Sequence, residues 1–328
     1  MSEIQKFIFE GLPVRGALVR LTDAWTEILS RRAANTTHGA YPVPVQNLLG
    51  EMTAAAVLMQ SNIKFNGSLV LQVFGDGPVK LAVVEVQSNM NLRATATVAG
   101  DVSPLASMSE LVNMHNEGRC AITLDPQDRQ PGQQAYQGVV PLFGDAREKL
   151  EKFSDVLQHY MLQSEQLDTT LVLAANDKVA AGLLIQRLPM SGGANLAGHA
   201  QQADEDQIGF NEHYNRIALL ASSLKREELL TLDNQSILHR LFWEEQLLQF
   251  EPQQGDNGPK FNCSCSRERV SKMIQGLGLD EAQSILKEQG QIEVGCDFCA
   301  AQYRFDAVDV TQMFLPAGGA PTVSDQLH

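Results

Sequence analysis

Four cysteines toward the end of the chain have the spacing of a metal site. One residue separates Cys263 from Cys265, thirty residues follow, and two residues separate Cys296 from Cys299. Residues i and i+2 of a strand point to the same face, so the first pair can present two sulfurs to one point. The second pair fits a tight turn, and four thiolates satisfy tetrahedral zinc with no open position. The spacing therefore predicts one structural zinc ion per chain, bound by these four cysteines.

Other uses of these cysteines are weaker interpretations of the same pattern. Four cysteines can also hold an iron–sulfur cluster, although redox-inert zinc is commoner for paired knuckles. A thiol oxidoreductase would place its Cys-x-x-Cys pair at the start of a helix after a strand, whereas a strand-like segment at residues 302–305 follows Cys299. A nucleic-acid-binding ribbon needs a basic face, but residues 256–316 hold six Lys and Arg against nine Asp and Glu.

Composition limits the class of protein further. The 328 residues carry a formal net charge of -14, which disfavours binding to nucleic acid because phosphate backbones repel an acidic chain. Residues 1–6 lack the basic and apolar regions of a signal peptide. The most apolar run, residues 171–185, is interrupted by Asn176, Asp177 and Lys178, which predicts a hairpin and no membrane span. We therefore expect a cytoplasmic protein, where thiols stay reduced. Without a phosphate-binding or Gly-x-Ser-x-Gly motif, we expect no enzyme.

The elements that would position the cysteines suggest an α+β fold. Strands are predicted at residues 68–74 and 79–87 around Gly75-Asp-Gly-Pro78, and again at residues 169–175 and 179–188 around Asn176-Asp177. Helical periodicity marks residues 48–60 and 147–163, and it returns from Tyr214 to Phe250. The predicted organisation is an antiparallel-sheet core at residues 1–188, a flexible and helical linker at residues 189–255, a zinc module at residues 256–316 and a disordered tail at residues 317–328.

The zinc module itself has few apolar residues between its two cysteine pairs. Ser266 can cap a helix that ends at Gly276, and Asp280 can cap a second helix that ends at Gly290. Residues 292–294 and 303–305 would form a hairpin that carries the second cysteine pair. About sixty residues of this kind bury little core, so the metal is expected to stabilise the module.

The sequence resembles the 33 kDa chaperonin (heat shock protein 33) family in stretches along nearly its whole length. The closest resemblance is to the redox-switch domain of that family, in Phe261-Asn-Cys-Ser-Cys-Ser-Arg-Glu-Arg269, Gly290-Gln-Ile-Glu-Val-Gly-Cys-Asp-Phe-Cys299 and Tyr303-Arg-Phe-Asp306. Further stretches agree: Val14-Arg-Gly-Ala-Leu-Val-Arg-Leu21, Leu48-Leu-Gly-Glu51, Gly77-Pro-Val79, Leu92-Arg-Ala94, Tyr136-Gln-Gly138, Gln163-Ser-Glu-Gln166 and Leu238-His-Arg-Leu-Phe242. Two features depart from the family: a longer polar stretch at residues 190–207 and a longer C-terminal tail.

This resemblance implies a redox-regulated holdase chaperone that needs no ATP. The reduced, zinc-bound form would be inactive. Oxidation would form the disulfides Cys263–Cys265 and Cys296–Cys299, release zinc and unfold the module and linker. The oxidised protein would form a homodimer and bind unfolding client proteins through newly exposed apolar surface.

Two alternatives remain beside the holdase. One is a zinc-stabilised protein–protein adaptor without redox switching, and the other is a thiol oxidoreductase that uses Cys296 and Cys299. The fifth cysteine, Cys120, lies in a strand-like segment and is expected to be a small buried apolar residue.

Overall fold

The computed structural model describes residues 1–35, 39–129, 132, 134–188 and 212–315. These residues divide into two compact units, Met1–Asn262 and Cys263–His328. The predicted flexible stretch at residues 190–207 and the predicted tail at residues 317–328 lie outside the described residues. The predicted boundaries at residues 188, 255 and 316 stay predictions.

The larger unit is built from strands and helices that alternate along the chain. Its strands have these bounds: β1 Glu3–Phe9, β2 Val14–Leu21, β3 Gly67–Phe74, β4 Val79–Gln87, β5 Asn91–Val98, β6 Arg119–Pro126, β7 Tyr136–Pro141, β8 Thr169–Ala175, β9 Ala180–Arg187, β10 Leu247–Gln249, β11 Gln253–Gln254 and β12 Lys260–Phe261. Its helices are α1 Asp23–Ala33, α2 Val43–Asn62, α3 Met108–Val112, α4 Phe153–Glu165, α5 at residues 212–222, α6 Arg226–Thr231 and α7 Asn234–Phe242, with a 3-10 turn at Gly255–Asn257.

The strands of the larger unit form two mainly antiparallel sheets. Sheet 1 has the order β10-β1-β2-β9-β8, with β11 also paired to β1, and sheet 2 has the order β12-β5-β4-β3-β6-β7. The helix α2 packs against strands of both sheets. Because it is surrounded, α2 buries residues all around its axis, including Leu49, Met52 and Val57. The predicted α+β class with an antiparallel sheet is confirmed.

Sheet 1 is apolar on both faces. The alternation along β9 sends Ala180 and Leu184 toward α2, whereas Leu183 and Ile185 join a second core on the opposite face. That second core is completed by apolar residues of α5, α6 and α7, including Ile217 of α5. These three helices therefore cover a sheet face that would otherwise be exposed.

Several predicted elements have different bounds in the structure. The helix predicted at residues 147–163 begins only at Phe153, because residues 144–148 form a turn in which Gly144 N–H donates to Glu148 O. The helical pattern predicted to reach Phe250 ends at Phe242. Leu247–Gln249 instead pair with β1, with Phe7 opposite Gln249. A local pattern cannot reveal this pairing, because the two strands are far apart in sequence.

The smaller unit contains three helices and one hairpin among its described residues. They are α8 Arg267–Leu277, α9 Leu279–Gln289, β13 Ile292–Gly295, β14 Gln302–Phe305 and α10 Ala307–Phe314. The first helix runs past the predicted stop at Gly276 to Leu277, and the residue that caps it, Gly278, has a φ of 92°, which suits glycine. The predicted hairpin is present, with Val294 opposite Tyr303.

Candidate metal centre

The structure brings the four predicted cysteines together. The sulfurs of Cys263, Cys265, Cys296 and Cys299 all lie within 4.8 Å of one another. Cys263 Sγ lies 3.7 Å from Cys296 Sγ, and Cys265 Sγ lies 3.2 Å from Cys299 Sγ. These two contacts join sulfurs of different motifs, so proximity in this state does not select a pairing within either motif.

The second cysteine pair lies on a tight turn that the β13–β14 hairpin presents. Cys296 N–H donates to Ala301 O at 2.9 Å, and Ala300 N–H donates to Cys296 O at 2.8 Å. Ala300 takes a φ of 59°, a left-handed conformation that closes the turn. Both sulfurs of this pair thereby reach the same point.

The first cysteine pair lies in a loop between β12 and α8, so the predicted strand at Cys263 and Cys265 is wrong. The loop is held by the start of α8, where Ser266 Oγ accepts from Arg269 N–H at 3.3 Å. The Arg269 side chain turns back and donates to Ser264 O at 2.8 Å. The N-terminal cap predicted at Ser266 thus fixes the residues around Cys263 and Cys265.

A tyrosine that the sequence analysis did not single out contacts the cluster. Tyr303 Oη donates to Cys265 Sγ at 3.1 Å. Burial raises the pKa of Cys265, but hydrogen bonds from Tyr303 and the neighbouring cysteines outweigh it and lower the pKa to about 7. The hairpin register could have revealed this residue, because Tyr303 pairs with Val294, two positions before Cys296.

The chemistry of this donor set fits a soft metal ion. Burial raises the pKa of both Cys296 and Cys299, so a nearby cation is needed to keep these sulfurs as thiolates at neutral pH. Sulfurs bound to tetrahedral zinc are about 3.8 Å apart, for a Zn–S distance of about 2.3 Å. The cluster could therefore hold a metal ion with modest adjustment of the sulfur positions.

The smaller unit has a minimal apolar core around this cluster. The buried members are Ile274, Ala282, Ile292, Phe305 and Val310. Arg267 covers the Phe305 ring at 4.2 Å and also bonds to Asp309 at 2.8 Å. So small a core leaves much of the unit's stability to the cysteine cluster.

Cys120 lies in the larger unit and is not a member of the cluster. It lies in β6, fully buried opposite Val73 and Val140. Burial raises the pKa of its thiol to about 12. A thiol this hard to ionise is a poor nucleophile and metal ligand, in agreement with its predicted role as a buried apolar residue.

A second feature of functional interest is the way α6 is fixed to sheet 1. Arg20 of β2 donates to three main-chain carbonyls at the C-terminal end of α6, those of Leu229, Leu230 and Leu232, at 3.2, 2.9 and 3.1 Å. These carbonyls have no partner within a helix, so the guanidinium satisfies them.

At the N-terminal end of α6 the arginine belongs to the helix itself, and its acceptors belong to neighbouring elements. Arg226 donates to Ala175 O of β8 and, at 3.3 Å, to Asn47 Oδ1 of α2. It also lies 3.4 Å from the Glu51 carboxylate. Arg20 of β2 thus holds the C-terminal end of α6, and Arg226 of α6 holds its N-terminal end.

Among the described residues, no helix is both long and apolar enough to cross a membrane.

Comparison with known proteins gives a consistent result. The family model described as Hsp33 protein matches residues 2–306. A 33 kDa chaperonin of Chromobacterium violaceum is 45% identical over 315 residues, which is 95% of this chain and 94% of that protein. A 33 kDa chaperonin of Methylobacillus flagellatus is 41% identical over 314 residues, with 95% and 94% covered.

A solved structure supports the fold independently. The 33 kDa chaperonin (heat shock protein 33 homolog) of Thermotoga maritima superposes with a TM-score of 0.69 at 18% identity, over 95% of this chain and 97% of that one. With the family model and the curated relatives in agreement, the chain belongs to the Hsp33 protein family.

Proposed function

We propose that this protein is a redox-regulated holdase chaperone that needs no ATP. The four sulfurs within 4.8 Å of one another are the observation that carries the proposal. Membership of the Hsp33 family, whose relatives are named 33 kDa chaperonins, supports it.

In the reduced state, Cys263, Cys265, Cys296 and Cys299 would bind one zinc ion. Zinc would keep the sulfurs as thiolates and contribute on the order of 10–16 kcal/mol to folding of the small unit. Because all four donors are protein sulfurs, the site would have no open position for metal catalysis.

Oxidation would change the sulfurs and thereby remove the donor set. One thiolate attacks hydrogen peroxide and becomes a sulfenic acid, and the second thiolate of the pair displaces its oxygen as hydroxide. Each pair gives two electrons to one peroxide molecule and solvent supplies two protons, so two water molecules form per disulfide. With Cys263 joined to Cys265 and Cys296 joined to Cys299, no thiolates remain to hold the unit together.

Loss of the small unit's stability would then favour release of α5, α6 and α7 from sheet 1. Their contact with the sheet buries Phe7, Phe9 and Leu183 against Ile217 and Phe242. The ring centroids of Phe9 and Phe242 are 5.1 Å apart. A released sheet face of this kind would be a large apolar surface suited to binding unfolding proteins and to dimer formation. A reducing compartment such as the cytoplasm would hold the switch off.

The proposal is tested by light scattering from a heat-unfolded client in the presence of this protein. The protein is added either reduced with zinc or after peroxide treatment, and a metallochromic dye follows free zinc in the same sample. We expect suppression of aggregation only by the oxidised form, together with release of one zinc per chain. Cys120→Ala, which removes the fifth thiol and keeps the site apolar, is the matched control and should behave as the unmodified protein.

Peptide mapping of the oxidised protein tests the pairing itself. The expected disulfides are Cys263–Cys265 and Cys296–Cys299, and the crossed disulfides Cys263–Cys296 and Cys265–Cys299 would contradict this part of the proposal. Equal activity of both forms with zinc retained would leave a zinc-stabilised adaptor. Turnover with a dithiol donor would indicate a thiol oxidoreductase.

A further inference from the structure

A cavity inside the larger unit lies where both sheets meet the ends of α2 and α4. Its volume is about 140 Å³. Its apolar wall includes Met59 of α2, Ile122 of β6 and Leu184 of β9. The residues that line the cavity are remote in sequence from Cys263, Cys265, Cys296 and Cys299, and the proposed redox switch makes no use of it.

One side of this cavity carries a cation without a carboxylate partner. Arg15 of β2 donates through Nε to Gln186 Oε1 at 3.0 Å and through Nη1 to Asn62 O at 3.2 Å. Both acceptors are neutral, and no ion pair involves Arg15 within the part of the chain that the structure describes. Burial of this guanidinium lowers its pKa with no opposing effect from a neighbouring acid. A partly buried charge of this kind is stabilised by an anion.

The neutral acceptor beside Arg15 is held rigidly. The Gln186 side chain is almost fully buried, and its amide nitrogen donates to Thr169 Oγ1 at 3.0 Å. That bond directs the amide oxygen toward Arg15. A guanidinium has five N–H donors, and the bonds to Gln186 and Asn62 occupy three of them. The Arg15 head group is therefore preorganised, with donors left for a ligand.

The acid that also lines the cavity is already engaged elsewhere. Glu165 Oε1 accepts from Tyr160 Oη at 2.6 Å and from Tyr136 Oη at 3.1 Å. The Tyr160 ring can lie against β7 because Gly138 has no side chain, and a Cβ there would approach the ring to 2.7 Å. The two phenols thus hold Glu165 at α4, and an anionic ligand group would bind at Arg15 instead.

The size of the cavity sets the apolar part of the ligand. An apolar cavity of about 150 Å³ takes one benzene molecule. We propose that this cavity is a binding site for a small carboxylate with one phenyl or branched aliphatic group, its carboxylate on Arg15 and its apolar group against Met59, Ile122 and Leu184. Two sources present this chemistry: a free small carboxylic acid, and the C-terminal residue of a polypeptide that ends in an apolar side chain.

The test is calorimetric titration of the full reduced chain with 3-phenylpropanoate, and in parallel with its neutral amide. A second arm uses a short peptide that ends in phenylalanine, as the free acid and as the C-terminal amide. We expect each acid to bind at least about tenfold more tightly than its amide, a difference of about 1.4 kcal/mol. Tighter binding of 3-phenylpropanoate than of the peptide acid would identify a free acid as the ligand source. Tighter binding of the peptide acid would identify a chain terminus.

Two variants and one control locate the site. Arg15→Met should weaken acid binding about tenfold and leave amide binding unchanged, and Ile122→Phe should abolish both by filling the cavity. Arg119→Met, at an exposed position of the same strand as Ile122, should change neither. Equal binding of acid and amide by the unmodified chain, or no binding of either at about 10 mM, would overturn the proposal. The comparison of acid with amide uses the unmodified chain, so it tests the proposal even if Arg15→Met fails to fold.

Discussion

The contact between Arg20 and the end of α6 gives a prediction whose size follows from the structure. Arg20→Gln removes donors from three carbonyls, those of Leu229, Leu230 and Leu232. A hydrogen bond of this kind contributes about 0.5–1.5 kcal/mol net. Arg20 is only partly buried, so water can replace some of what is lost. We therefore expect the docking of α6 to weaken by about 1–3 kcal/mol.

Native-state hydrogen exchange measures this change at the residues concerned. Within α6 and its cap, Leu229 N–H donates to Lys225 O at 3.0 Å and Leu232 N–H donates to Glu228 O at 2.9 Å. Since 1.4 kcal/mol is a factor of ten, exchange of these two amides should accelerate by about 5- to 150-fold.

The matched control is Arg129→Gln, which breaks an exposed pair with Asp125, four residues earlier in the sequence. Surface pairs of this kind contribute about 0–1 kcal/mol, so exchange of Leu229 and Leu232 should not change. If Arg20→Gln left both amides protected as in the unmodified chain, Arg20 would not hold α6, and the reasoning would be refuted.

The remaining predictions concern pH, the small core and the metal. Burial raises the pKa of Glu51 to about 7 against the opposing effect of Arg226. Between pH 4.5 and about 7 the folded chain therefore keeps a proton on Glu51 that the unfolded chain releases. The free energy of unfolding should rise as pH falls through this range. Glu51→Gln should abolish this rise, at most about 3 kcal/mol in denaturant titrations, whereas Glu10→Gln at an exposed site should retain it. Phe305→Ala should destabilise the smaller unit by about 3–5 kcal/mol, measured by loss of amide protection in residues 263–315. The control is Met273→Ala, at an exposed position. Unchanged protection in Phe305→Ala, or an equal loss of protection in Met273→Ala, would contradict this prediction. Chelation of metal from the reduced protein should likewise remove protection from residues 263–315 and not from α2, and loss of protection in α2 as well would show that the metal does not act locally.

Features that depend on neighbouring residues could be predicted from the sequence. The hairpin around Gly75-Asp-Gly-Pro78 is present as β3 and β4, because its turn residues are adjacent to the strands they join. The Ser266 cap and the clustering of four cysteines follow equally from local chemistry and spacing.

The features that sequence did not predict depend on residues far apart in the chain. The pairing of β10 with β1, the parallel pairing of β12 with β5 and the contacts of Arg226 with Asn47 and Glu51 of α2 join segments separated by well over a hundred residues. The contact of Tyr303 with Cys265 needed the hairpin register as well as the position of the first cysteine loop. No local periodicity encodes such partners.

The two residues of β12 cover part of one edge of sheet 2 and so protect it from pairing with other chains. Lys260 N–H donates to Met90 O at 3.1 Å and Asn262 N–H donates to Leu92 O at 3.0 Å, and Arg31 lies over the Phe261 ring at 4.6 Å. So short a strand is among the first parts of a fold to open. Opening would free the backbone of Asn91 and Leu92 in β5, and an unpaired edge is a template for strand addition by another polypeptide. Exposure of this part of the sheet edge to other chains therefore depends on the three residues that immediately precede Cys263.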